Sequence, residues 1–363
     1  MARARRAVSR GLAVYAALVA ALVAYTAVAG TGCKAAIQGS GSSFLYPQME
    51  VWVERFREAE PGVVINYNPT GSGTGQNQFL QGVVDFAGSD PPLKRADWER
   101  LRGRVVQVPV ILGAVAVVYN IPGLRGHLNL SGEVLAGIYL GRVRYWDDPS
   151  IRALNPGVEL PHREIVAVHR SDSSGTTNVF TLFLHKSAPS LWPEGLVGKS
   201  IEWPVDSTGR GVGGKGNQGV AEQVRQNPYS VGYVEYNYAV KTGLSYAWIV
   251  NREGVSVPPS RETVLAAAEA ALASLPSSPL DDWSGAFQAI VYAPGRESYP
   301  IASFSFLILR THYPDPAKAR ALSSFLHWLA TRGYDYVIEG YAPVPPAIRS
   351  MIDEAARIVG GGG

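Results

Sequence analysis

The chain is 363 residues long, 46% apolar, and carries 33 Lys and Arg against 30 Asp and Glu, a formal charge of +3. That length allows two lobes of ordinary domain size, and the composition is that of a globular protein. The basic residues are scattered apart from one group at the N-terminus, which argues against a nucleic-acid surface, and a single cysteine excludes an internal disulfide.

Arg3, Arg5, Arg6 and Arg10 form a positive region, and Gly11 to Gly30 carries no charge. This is the pattern of an export signal, so residues 1–32 are read as a signal peptide or membrane anchor and not as fold. Cys33 follows in "AGTGCK", which resembles a lipoprotein processing site with Cys33 as the lipidated residue, although Gly30 stands where Leu is usual. An apolar run of about 20 residues is also long enough to remain as an uncleaved anchor. Simple secretion, with "ARRAV" as a twin-arginine signal, is the third reading. All three place the folded part outside the cytoplasm.

After Cys33 the sequence predicts a strand, a Gly/Ser turn and a helix with Leu45, Met49, Trp52, Val53 and Phe56 at helical spacing. "GVVINYNP" predicts a second strand, "GSGTGQNQFLQG" a turn entering a helix, and "VVDFAGS" a third strand. Such βαβαβ alternation implies a parallel sheet with helices on its faces. Ligands bind outside the carboxyl ends of strands in such sheets, which picks out residues 39–43, 71–75 and 88–90. "VPVILGAVAVVYN" (108–120) is longer than one buried strand needs and can cross between lobes. "GEVLAGIYLG" reads as helix, "EIVAVHR" as strand, "TTNVFTLFLHKSA" as helix, "VGYVEYNYAV" as a strand with a turn, and "VLAAAEAALASL" as helix. "YPIASFSFLILR" is a second long strand, followed by helical "PAKARALSSFLHWLATRG". Two long strands bracketing a middle region suggest a chain that leaves the first lobe, builds the second and returns.

"HRSDSSGTTNVF" (169–180) places small hydroxyl residues and a glycine at a helix start, where free N–H groups and the macrodipole favour an anion. Asp172 within it, and Asp90 in "GSD", should repel such a guest.

With "GSGSSF", "TGSGTG", "VDFAGSDPPL", "HRSDSSGTTNVF", "GGKGNQGV" and "GYVEYNYA" in that order, the sequence resembles the phosphate-binding proteins of high-affinity phosphate ABC transporters. The likeness covers nearly everything after Cys33. It implies an α/β, two-lobed, type II periplasmic-binding-protein-like fold with two β crossovers, near 113–117 and 300–304, forming the hinge. Lobe I would comprise 34–112 and 304–363, and lobe II 113–303. It further implies a phosphate shell of Ser43, Phe44, Ser72, Asp90, Arg170, Asp172, Ser174, Gly175 and Thr176. The implied partners are phosphate and membrane permease subunits, to which a monomer delivers it. The family often has threonine at Ser43 and arginine at His169, so local positive potential here is weaker or pH-dependent.

The chemistry suits that ligand. Phosphate at neutral pH keeps a proton, so a buried carboxylate at Asp90 can accept from it and would face a lone pair of sulfate. Asp172 can hold the Arg170 fork toward the anion. Arsenate, sulfate or molybdate binding, and a secreted phosphatase, are the alternatives. Against an enzyme, no GxSxG elbow occurs, and the six histidines show no HExxH spacing, so no metal and no cofactor are expected. "GRGVGGKG" mimics a nucleotide phosphate loop but has Gly216 where Ser or Thr must bind the metal, and reads as a flexible loop.

Overall fold

A computed structural model describes residues 35–361; Cys33 and the preceding signal lie outside the described residues. The first half is built on β1 (Ala35–Gly41), β2 (Val63–Asn68) and β3 (Phe86–Ser89), with α1 (Tyr46–Ala59), α2 (Ser72–Leu80) and α3 (Arg95–Arg100). β1 pairs in parallel with β2 and β3. Met49, Trp52 and Phe56 bury one face of α1, as their helical spacing requires, and Trp52 Nε1 donates to Gly333 O at 2.8 Å.

β4 (Val105–Asn120) is buried on both faces over fifteen of its sixteen residues. Its length serves two sheets. Val105–Ala114 pairs antiparallel with the C-terminal strand of the first half, and Val115–Asn120 pairs antiparallel with a strand of the second. Between them lie short β5 (Asn129–Leu130), α4 (Gly132–Tyr139), α5 (Pro149–Leu154), β6 (Val166–Arg170), α6 (Gly175–Ser187), β7 (Gly211–Gly214), α7 (Gly216–Gln226), β8 (Ser230–Glu235) and α8 (Tyr236–Thr242). β8, β6 and β7 run parallel to one another in that order. β9 (Ser245–Tyr246) adds to β4, while β10 (Trp248–Val250) and β11 (Ser256–Val257) form a small sheet with β5.

α9 (Arg261–Ala271) packs on β4, and α10 (Ser284–Ile290) packs on β12 (Ala302–Arg310), the strand that returns to the first half. β12 lies between β3 and β4, and Val115 N donates to Ile301 O at 2.9 Å, so both crossings run side by side. α11 (Pro316–Thr331), β13 (Tyr341–Ala342, paired with β4) and α12 (Pro346–Val359) complete the chain.

The parallel sheet expected at the start is therefore a mixed one, because β12 and β4 join it antiparallel. Residues 236–242 are helical, not a continuation of the strand: the Glu235 side chain accepts from Asn237 N at 2.9 Å and caps α8. Residues 279–291 bridge the halves. Gln107 N donates to Pro279 O (2.8 Å) and Trp98 Nε1 to Leu280 O (3.0 Å) in the first half, while Lys186 of α6 donates to Gln288 O and Val291 O.

Candidate functional site

The carboxyl ends of β1, β2, β3 and β6 converge between the halves, and each delivers a short polar loop. β1 is followed by Ser42, whose Oγ accepts from Leu45 N (3.1 Å) and donates to Asp90 Oδ1 (2.5 Å). Ser305 donates to the same oxygen at 2.9 Å. It lies beside a bulge in β4, where Ser305 and Phe306 pair with Ile111 and Pro109 and leave Val110 as the extra residue next to a proline that has no N–H for the ladder. Asp90 Oδ2 receives only a long 3.4 Å contact from Ser72 Oγ, which also accepts from Asp90 N at 3.2 Å. Asp90 is 1% exposed, and burial pushes its pKa up to about 6 against the opposing pull of Ser42, Ser305, Arg170 and Ser72. At neutral pH it is a carboxylate with one oxygen satisfied and the other free to accept.

From the second half, Arg170 Nε and Nη2 bond both oxygens of Asp172 at 2.7 and 2.6 Å, a bidentate pair. Gly216 N, at the start of α7, adds a third bond to Asp172 Oδ1 at 3.0 Å. Burial would raise the Asp172 pKa, but Arg170 outweighs it and holds the carboxyl below its usual range. The fork is thus fixed on one side, and Nη1 is left with a 3.4 Å contact to Thr176 Oγ1. Ser174 caps α6 by accepting from Thr177 N at 3.0 Å. Among the described residues, the N–H groups of Phe44, Ser72, Gly175 and Thr176 find no acceptor, as expected of helix entries.

The halves are in contact. Gly73 N donates to Ser173 O (3.0 Å), Tyr238 Oη to Ser43 O (2.8 Å), and Lys199 Nζ to Gln76 Oε1. A Cβ built on Gly175 would collide with Asp90 Oδ2 and Ser72 Oγ, so the absence of a side chain lets α6 close on β3. The structure brings together all nine residues expected from the sequence, with Ser174 acting as a cap whose side chain is turned to its own helix. Arg170, Asp90 and Asp172 sum to one negative charge. Oriented N–H and O–H donors, not net charge, must hold an anion here.

Four contributors lie outside the expected set: Ser42 and Ser305 on Asp90, and Asn217 and Tyr238 on Ser43. Asn217 belongs to "GRGVGGKGN", which is not the flexible loop its composition suggested. Gly211–Gly214 is an edge strand beside β6 because Ala167–Arg170 offers it a parallel ladder, and α7 starts at once. His169 faces away from the site, stacked on Trp203 with Nε2 at 2.8 Å from Asp206 Oδ1, and does not stand in for a ligand-facing arginine. The described residues contain no group of His, Cys, Asp and Glu able to hold a metal.

Two α/β lobes joined by strands that cross between them, with helix entries and a buried carboxylate facing a common cleft, define a solute-binding protein of the periplasmic-binding-protein type. A model of the PBP superfamily domain matches residues 26–332. Within that superfamily the chain belongs to the family of phosphate-binding proteins PstS. It is 40% identical to the phosphate-binding protein PstS of Methanocaldococcus jannaschii over 337 residues, 89% of this chain and 86% of that one. It is 38% identical to the PstS of Haemophilus influenzae over 318 residues, 87% and 91% of the two chains. Among solved structures, a high-affinity periplasmic phosphate-binding protein (PfluDING) bound with phosphate matches with a TM-score of 0.68 at 23% identity, covering 88% of this chain and 93% of that one. A phosphate-binding protein from Stenotrophomonas maltophilia matches at 0.64 and 20%, with the same coverage. The solved structures speak for the fold.

Proposed function

We propose that this chain captures inorganic phosphate outside the cytoplasm, between lobe I (34–112 and 304–363) and lobe II (113–303), and delivers it as a monomer to the permease of an ABC transporter. It holds the anion without chemistry, through Ser43, Phe44, Ser72, Asp90, Arg170, Asp172, Gly175 and Thr176, with Ser174 fixing the α6 entry. The observation that carries the reading is Asp90: a buried carboxylate with a free oxygen, surrounded by donors. Only an anion that brings its own proton satisfies both. Sulfate leaves the carboxylate against a lone pair, a mismatch that costs several orders of magnitude in discrimination.

Calorimetry on protein stripped of phosphate tests this: one-to-one binding of phosphate, and binding of sulfate weaker by at least about a thousandfold at pH 8. Equal heats with sulfate would sink the reading. The discrimination is expected to erode as pH falls through about 6, because neutral Asp90 can donate to sulfate. Asp90→Asn should produce the same loss of discrimination without the pH dependence.

We also propose that Cys33 is lipidated and holds the receptor at the outer face of the membrane; an uncleaved N-terminal segment would place it there as well. No helix of the described residues is long and apolar enough to cross a membrane. The intact mass of protein isolated from its own cells is expected to correspond to a chain beginning at Cys33 plus lipid, and retention of Met1 would overturn it.

A further inference from the structure

Three consecutive carbonyls at the entry to α1 each accept from a tyrosine hydroxyl, and the three tyrosines come from distant parts of the chain. Tyr67 of β2 donates to Ser42 O at 3.0 Å, Tyr238 of α8 to Ser43 O at 2.8 Å, and Tyr341 of β13 to Phe44 O at 2.6 Å. Burial pushes the pKa of all three hydroxyls above the ordinary value, so each keeps its proton and donates. The peptides are trans, and across a trans peptide the C=O and the following N–H point in opposite directions. Holding Ser43 O on Tyr238 therefore turns the N–H of Phe44 away from Tyr238, and that N–H finds no acceptor among the described residues.

The support for this contact is built across the halves. Glu235 caps α8 through Asn237 N, and Asn237 Nδ2 donates to Glu339 O at 2.7 Å. Gly340, at a φ of +96°, lets the turn before β13 press against Asn237, whose backbone N a Cβ would meet at 3.0 Å. The helix that carries Tyr238 and the strand that carries Tyr341 are thus seated on each other. Tyr67 is held from its two sides by the rings of Tyr46 and Phe86.

We infer that Tyr238 is a positioning residue for the anion: from lobe II it aims the Phe44 N–H of lobe I, while Tyr67 and Tyr341 hold the peptides before and after it. A main-chain donor of one half is oriented by a side chain of the other, so it is aligned where the halves meet. The hydroxyl also polarises the peptide it bonds, which strengthens the N–H as a donor. The inference rests on the proposed function, in which Phe44 N–H binds phosphate. It goes beyond that reading by assigning the aim of this donor to a side chain on the far side of the peptide.

Tyr238→Phe removes the hydroxyl and keeps the ring, so the ligand-free variant is expected to melt near the natural temperature. Calorimetry gives its phosphate affinity. The amide resonance of Phe44, followed in protein labelled with isotopic phenylalanine and identified by its loss in Phe44→Leu, reports the donor itself. Tyr238→Phe should bind phosphate about tenfold more weakly. At saturating phosphate, the displacement of the Phe44 resonance that phosphate causes in the natural protein should fall by about half or more, because the N–H is no longer aimed. A contact that merely packed the halves together would weaken binding and leave that displacement unchanged once the site is filled. Tyr67→Phe frees the preceding peptide and is the comparison: it should keep most of the Phe44 displacement. An affinity within about twofold of the natural protein overturns the inference. So does weakened binding with the natural Phe44 displacement, or an equal reduction in both variants, which would mean that the loop has only loosened. Failure of the natural protein to bind phosphate would instead overturn the function on which the inference rests.

Discussion

Arg170→Ala is expected to weaken phosphate and sulfate alike by roughly a thousandfold, about 4 kcal/mol. Two contributions add. The variant loses a charge-assisted donor to the anion, worth about 1.5 to 3 kcal/mol net. It also leaves Asp172 beside the ligand with Gly216 N as its remaining partner from another loop, and an unpaired carboxylate there repels the guest. Burial is the largest influence on Asp172, and Arg170 is what outweighs it, so without the guanidinium the Asp172 pKa should rise. Arg170→Lys keeps the charge but cannot grip Asp172 with two donors and still present a third to the anion, so it should recover only part of the affinity. Removing Asp172 together with Arg170 should weaken binding less than the sum of the two single changes. Calorimetry with both anions reads the loss, and a thermal melt of each variant separates it from unfolding. A loss under about tenfold would mean that the helix entries hold the anion without the guanidinium.

The loops of this site were legible because their composition is at odds with ordinary strand ends. Ser72, Asp90 and the segment from Arg170 to Thr176 are small or charged residues where an apolar strand meets a helix, and strand order alone places them on one side of the sheet. What was not legible arises from pairing across the fold. Ser305 lies in "SFSFLILR", a run that reads as core, and only its pairing beside the bulge in β4 brings its hydroxyl to Asp90, 215 positions away in sequence. Asn217 hides behind a glycine-rich stretch whose local pattern suggests mobility, and its strand forms because β6 supplies the partner. "VEYNYAV" has strand-like aromatic and branched residues, yet the Glu235 cap starts a helix that brings Tyr238 to Ser43. His169 misled for a simpler reason: side chains alternate along a strand, so the neighbour of a ligand-facing arginine faces the other way.

Gly175→Ala should separate folding from binding. Gly175 is the first residue of α6 and has no positive φ, so within its own lobe alanine is tolerated and slightly favours the helix. The obstacle is on the other lobe, where the new Cβ would collide with Asp90 Oδ2 and Ser72 Oγ. Neither can swing aside cheaply. Asp90 is tied by Ser42 and Ser305, and Ser72 by its own bonds to Asp90. The lobes must stop short of the closed position, and donors aligned at hydrogen-bond distance from both sides lose their geometry together. Phosphate affinity is expected to fall by about a hundredfold or more, while the ligand-free protein melts at the natural temperature or slightly above. The rise in melting temperature that phosphate gives the natural protein should nearly vanish at the same phosphate concentration. Gly73→Ala is the comparison. Its Cβ would meet Ser173 Oγ and also Ser173 Cβ, which side-chain rotation does not move, so it too should hold the lobes apart and weaken phosphate binding, by a contact that leaves Asp90 and Ser72 untouched. Variants that both keep the natural affinity, or a Gly175→Ala protein that keeps its phosphate-dependent rise, would mean that the anion is bound without this approach of the lobes.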